Sequence, residues 1–140
     1  MIADKWLNQR APDPYSATNP LTPSQRKYLD TVNAWGSWDE FQSLLSALAA
    51  VSAKKGPGFS IANVATRWVL EQPAVGAVLV GTRLGVSAHG KDNLNVFKCV
   101  LDKEDLDSIN RIALGPNGEK TAQLFGKYGD CGGEYRYRKE

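Results

Sequence analysis

The chain has 140 residues, 42% of them hydrophobic and 23% charged, with 17 basic and 15 acidic side chains and a net charge of +2. This composition excludes a disordered or fibrous chain and suits one soluble domain of ordinary core size. The near-balance of charge argues against nucleic acid or an anionic membrane as a partner, and apolar runs such as Leu44 to Ala53 are broken by serine and too short to span a bilayer.

Residues 8 to 23 are rich in Pro, Asn, Ser and Thr and read as loop. Thr22-Pro-Ser-Gln25 then starts a helix: Thr22 caps it, Pro23 suits its first position and Gln25 closes a capping box. Tyr28, Leu29, Val32 and Trp35 form its apolar face, and Gly36 ends it. Ser37-Trp-Asp-Glu40 is a second capping box. Behind it Phe41, Leu44, Leu45, Leu48 and Val51 recur at helical spacing up to Lys54-Lys55-Gly56-Pro57, where cations and two breakers stop the helix. Ser60 opens a third helix, with Ile61, Val64, Ala65, Trp68 and Val69 on its buried side. Gly76 to Val80 (GAVLV) has the pattern of one short buried strand. Ser87 is positioned to cap a fourth helix carrying Leu94 and Phe97. Asp102 with Asp105 opens a fifth carrying Leu106, Ile109, Ile112 and Ala113. From residue 115 to 140 glycine alternates with aromatics and charges, which predicts a loosely ordered tail.

The stretch of chemical interest is VLVGTRLGVSAHGKDN, Val78 to Asn93. A loop that leaves a strand and enters a helix N-terminus gathers backbone N–H groups at one spot, and the helix dipole adds partial positive charge. Arg83 offers a planar fork of donors suited to phosphate, and Asn93 an amide suited to a base edge. On pattern alone this is a weak motif, because such a turn is commonly only a turn and such an arginine commonly solvated. The other candidates read more simply as structure. Tyr28 belongs to an apolar helix face, Lys54 and Lys55 to a helix C-terminus, and Asp39 and Glu40 to a first turn. His89, the single histidine, sits beside the glycine turn. Cys99 and Cys131 lie far apart with no Cys-x-x-Cys pair, so neither a metal site nor a disulfide framework is indicated. The first residues, MIADKWLNQR, lack the apolar segment of a secretory signal, and the expected setting is reduced and cytoplasmic.

SIANVATRWVLEQPAVGAVLVGTRLGVSAHGKDNLNVF, Ser60 to Phe97, resembles the C-terminal part of the aldo/keto reductases. TPSQRKYLDTVNAWGSWDEFQSLL and the tail stretch GDCGGEY resemble one subfamily of them, and KWL near the start resembles the segment after the seventh barrel strand. The resemblance runs from about Ile2 to about Tyr137. It implies an α/β ancestry: a C-terminal fragment of a (β/α)8 TIM barrel, helix-dominated, with one clear strand and about five helices. On this view residues 1–114 form a partial reductase-like domain and 115–140 a tail.

The resemblance also implies a nicotinamide cofactor, usually NADP(H). In the family a lysine at the position of Lys5 contacts the cofactor phosphates, and the loop of Gly81, Thr82 and Arg83 lies against the adenosine 2′-phosphate. Asp92 and Asn93 meet the adenine, and His89 falls where many relatives carry Gln or Arg. The turn is about two residues longer than in the commonest form of the motif.

Catalysis in the family uses an Asp, a Tyr, a Lys and a His on the early strands, and no segment here matches the stretches that bear them. A barrel takes roughly 250 residues. Two readings follow: an NADP(H)-linked oxidoreductase relative that keeps the adenosine-phosphate segment without the tetrad, or a non-catalytic helical remnant that acts through protein partners. With no neighbours for its strand, the chain is expected to form a homo-oligomer through that strand or its exposed apolar faces.

Overall fold

Side-chain caps fix where the long helices begin. The structure, a computed structural model, describes residues 1–82 and 89–129. Within them α1 spans Pro23–Trp35, α2 Trp38–Lys55, α3 Ile61–Leu70, α4 Gly90–Leu94, α5 Lys103–Ala113 and α6 Glu119–Tyr128. Short 3-10 turns occupy Asp4–Trp6, Asn95–Phe97 and Pro116–Gly118. Thr22 with Gln25, Ser37 with Glu40, Ser60 with Asn63 and Asp102 with Asp105 each form a reciprocal capping box, in which both residues accept a backbone N–H from the other. At the far end of α2, Gly56 has φ of 100°, a backbone geometry that a side chain would strain.

The core forms around α2. Phe41, Leu44, Leu45, Leu48 and Val51 are buried on it and meet Ile61 and Val64 of α3, Ile109 of α5, Val32 of α1, and Cys99 and Leu101 between α4 and α5. Burying each such aliphatic side chain contributes roughly 1.5–3 kcal/mol. Three indole N–H groups tie the rim: Trp35 Nε1 donates to the Ala113 carbonyl at 2.9 Å, Trp68 Nε1 to Asn110 Oδ1 at 2.8 Å and Trp38 Nε1 to the Gln9 carbonyl at 2.8 Å. The Lys54–Lys55 pair does more than end α2. Lys54 reaches Asp102, Glu104 and Asp105, and Lys55 also pairs with Asp105, so the C-terminus of α2 is fastened to the N-terminus of α5.

The structure corrects four expectations. Gly76 to Val80 has no regular secondary structure, and no strand occurs among the described residues. A run of this kind needs an extended neighbour to pair its N–H and C=O groups, and the described chain offers only helices and turns. Leu79 is 97% exposed and Val80 52%. The fourth helix begins at Gly90 with His89 in the cap position and no side-chain cap; Ser87 lies outside the described residues. Leu94 at its end and Phe97 in the 3-10 turn that follows face solvent, and Tyr28 of α1 is 57% exposed rather than core.

The tail is helical over residues 119–128, where looseness was expected. Lys120 lays its ammonium 4.2 Å from the centroid of the Trp35 ring and pairs with Glu40, and Lys127 donates to the Ala34 carbonyl at 3.3 Å. These long-range pairings are invisible to local pattern. Residues 130–140 lie outside the described residues. No helix among the described residues is long and apolar enough to cross a membrane.

Candidate functional site

The N-terminus of α3 gathers the segments that flank the candidate site. Asn63 is 1% exposed, and both ends of its amide are used. Its Oδ1 accepts from Ser60 N at 3.0 Å, and its Nδ2 donates to the Asp92 carbonyl at 3.1 Å and to Asp92 Oδ2 at 3.3 Å. Asp4 Oδ1 accepts from Ile61 N at 3.4 Å on the same helix end. Asn95 Nδ2 donates to the Gly58 carbonyl at 3.0 Å, and Ser52 Oγ to the Phe59 carbonyl at 2.7 Å, which pins the loop between α2 and α3 from two sides. A buried amide with all its bonds made resists displacement, because losing one partner leaves a polar group without water. The first turn of α4 is therefore held in place by a side chain of α3.

Around that frame the predicted residues divide. Asp92 and Asn93, on α4, are half-buried, and Asn93 N donates to the His89 carbonyl at 2.8 Å as the first bond of the helix. Asn93 lines an apolar cleft of about 290 Å³ with Thr66 and Leu70 of α3, Val78 and Val80 of the segment after α3, and Phe97. Gly81, Thr82 and His89 are exposed at the two described ends of the turn, and Arg83 falls outside the described residues. Lys5 sits elsewhere. It is exposed on the Asp4–Trp6 turn, its Nζ lies 5.4 Å from the Trp6 ring centroid, and it opens onto a polar cleft of about 300 Å³ with Gln9, Arg10, Asn19 and Gln25. The two clefts share no lining residue. Asp4 and Asp92 both touch the start of α3, so Lys5 and Asn93 are anchored to one helix end while facing different openings.

Sequence reasoning missed Asn63, Thr66 and Phe97. Ser60-x-x-Asn63 has the spacing of a capping box with asparagine where glutamate or glutamine is usual, and that spacing was the available signal. Among the described residues, acid–base groups do not gather at this site. Tyr15 is 88% exposed, Tyr28 57%, and the Tyr128 hydroxyl lies 3.3 Å from Thr31 Oγ1. Cys99 is 1% exposed, and burial pushes its thiol above the ordinary value, so it packs as a small apolar residue rather than serving as a nucleophile. No group of three or more His, Cys, Asp or Glu residues converges among the described residues.

Neither a curated protein nor a solved structure matches the chain. The model of the aldo/keto reductase family does match it, over residues 2–114. That span takes in the α3 frame, residues 76–82, α4 and all of α5, and it stops before α6. On that match, which covers most of the chain, this protein belongs to the aldo/keto reductase family.

Proposed function

We propose that this chain supplies the adenosine-phosphate-binding part of an NADP(H)-linked aldo/keto reductase and does not itself carry the proton-transfer tetrad. The observation that carries the reading is the cleft beside Asn93. It is about 290 Å³, at the small end of ligand pockets, apolar along Leu70, Val78, Val80 and Phe97, with one amide at its edge. Such a slot suits a flat heterocycle with hydrogen-bonding edges. The residues present therefore fit the adenosine end of the cofactor. They do not bring Lys5 onto the same cleft, so the fit does not extend to the phosphates nearer the nicotinamide.

In this reading Asn93 contacts the base edge, and Asp92, oriented by Asn63, borders it. By the family resemblance, Gly81, Thr82 and Arg83 would contact the 2′-phosphate, Arg83 lying outside the described residues. When bound, NADP(H) supplies a hydride. This chain's own residues bind and orient its adenosine end. The (β/α)8 barrel and the Asp, Tyr, Lys and His that move a proton to a carbonyl are properties of the family, and no stretch of these 140 residues matches the segments that bear the tetrad.

Titration of NADPH fluorescence, followed by a reductase assay with 4-nitrobenzaldehyde, tests this. Saturable binding without turnover is expected. Turnover by this chain alone overturns the assignment of the tetrad elsewhere, and absence of any binding overturns the nucleotide site. Asn93→Ala is expected to weaken NADPH and NADH alike by roughly tenfold, about 1.4 kcal/mol. Arg83→Ala is expected to weaken NADPH more than NADH, because only NADPH carries the 2′-phosphate.

A further inference from the structure

A second apolar cavity, of about 520 Å³, shares no lining residue with the cleft beside Asn93. Its floor reaches the core at Val32, Phe41 and Leu44, all three buried. The rings of Trp35 and Tyr28 wall it, and Ile2 and Tyr28 are the exposed members of its lining. Leu124, half-buried on α6, completes the enclosure. No charged side chain lines it. Its polar side chains are two hydroxyls. That of Thr31 already donates to the Lys27 carbonyl at 3.1 Å, and that of Tyr28 bonds no other described residue. The volume is that of a small-molecule site, and cavities so lined take up aromatic guests in preference to water.

Helix α6 is the loosest of the walls. None of its residues is buried. Among the described residues its fastenings are polar: Lys120 on Glu40 and the Trp35 ring, Lys127 on the Ala34 carbonyl, and the Tyr128 hydroxyl 3.3 Å from Thr31 Oγ1. Between α5 and α6, Gly115, Asn117 and Gly118 have φ of 70°, 54° and 76°, so three left-handed residues in four make the joint. A helix held by such contacts opens at far lower cost than the packed core.

We propose that this cavity binds a small neutral aromatic molecule with one hydrogen-bonding group, and that α6 is the strap that closes over it. The lining selects that chemistry. An ionised ligand would lose its hydration with no counter-charge in the lining to replace it. A flat ring system packs against Trp35, Phe41 and Tyr28, and the Tyr28 hydroxyl serves one polar group at the mouth. Lys120 sets how often the strap lifts, because it joins α6 both to Glu40 of α2 and to the Trp35 ring that walls the cavity.

Titration of the full chain with N-phenyl-1-naphthylamine, a neutral aromatic amine that brightens in apolar surroundings, is the test. Saturable binding to one site is expected. Ile2→Trp, which fills the cavity from its exposed rim, should weaken the probe at least about tenfold. Leu124→Trp, filling it from α6, should do the same, and it decides the question should Ile2→Trp lose the parent's helical circular dichroism. Lys120→Ala unfastens the strap, so in stopped flow the probe should associate at least about threefold faster. Absence of saturable binding overturns the site. So does binding indifferent to both tryptophan variants, which would put the probe elsewhere on the chain. An association rate unchanged by Lys120→Ala overturns the role of α6. The cavity and the Asn93 cleft have separate linings and separate probes, so this proposal and the cofactor reading fail independently.

Discussion

Helix α2 and the segment Gly76–Val80 are both apolar runs bounded by glycine, yet one is the centre of the molecule and the other lies on its surface. The difference is what each needs in order to be satisfied. A helix closes its hydrogen bonds within itself, and α2 has its own start at Ser37 and Glu40 and its own stop at Gly56. It then needs only apolar neighbours, which α3 and α5 supply. An extended run must borrow every hydrogen bond from another strand. The described chain has none to lend, so Leu79 remains 97% exposed while Leu45 of α2 is fully buried.

The largest test of that contrast is a pair of alanine substitutions. Leu45→Ala should cost about 2–5 kcal/mol in urea denaturation, because it opens a cavity at the packed centre. Leu79→Ala should change stability by less than about 0.5 kcal/mol at concentrations where the chain is monomeric. Equal costs would erase the distinction. Next in size is Asn63→Ala, which removes half of a capping box and the side-chain donor to the Asp92 carbonyl and carboxylate. It should cost about 1–3 kcal/mol and weaken NADPH through loss of α4 position, which fluorescence titration would read. A variant that loses stability but keeps its cofactor affinity would separate the frame from the cleft.

Acid should loosen the helical region selectively. The Asp102 carboxyl is held at about 2 by the Asp105 backbone N–H and the Lys54 ammonium. Glu40 is likewise held at about 2, chiefly by Lys120 and then by Ser37. Burial pushes Asp105 up, but Lys55, the Asp102 backbone N–H and Lys54 outweigh it and leave the group below its usual value. Carboxyls depressed by folding contribute stability that is complete above their unfolded values, near 4, and is lost as pH falls through their folded ones. The denaturation midpoint should therefore drop between pH 4.5 and pH 2, the range from Glu40's ordinary value to its folded one. Asp102→Asn should flatten that drop, and a slope that is unchanged would remove the α2–α5 charge cluster from the account. The smallest effect is expected of Lys120→Ala, about 1 kcal/mol or less, as α6 loses its ion pair and its ring contact.

The helices were legible in the sequence because their signals are local. Thr22, Ser37, Ser60 and Asp102 each precede an apolar face by a fixed offset, and the structure starts α1, α2, α3 and α5 where those residues stand. What was not legible depends on distant company. The GAVLV pattern describes a strand that would be buried if partners were present, and pattern cannot report that the described chain supplies none. Lys120 reaching back to Glu40 and Trp35 has no periodic signature, so the helix in the tail went unseen. At the site, the residues carried over from the family are Lys5, Gly81, Thr82, Arg83, His89, Asp92 and Asn93, of which Arg83 lies outside the described residues. The structure gives only Asn93 the wall of the apolar cleft and turns Lys5 to another opening. The buried Asn63 that ties Asp92 down could have been suspected from its three-residue offset after Ser60.

Lys120 gives the molecule a built-in optical gauge. Of the chain's four tryptophans, Trp35 alone among the described residues has both an ammonium over its ring face and its indole N–H bonded to the backbone that leads into α6. Detaching the last helix would lift the Lys120 ammonium from that ring. Intrinsic emission would then follow the fastening of the C-terminal segment in real time, with no label attached.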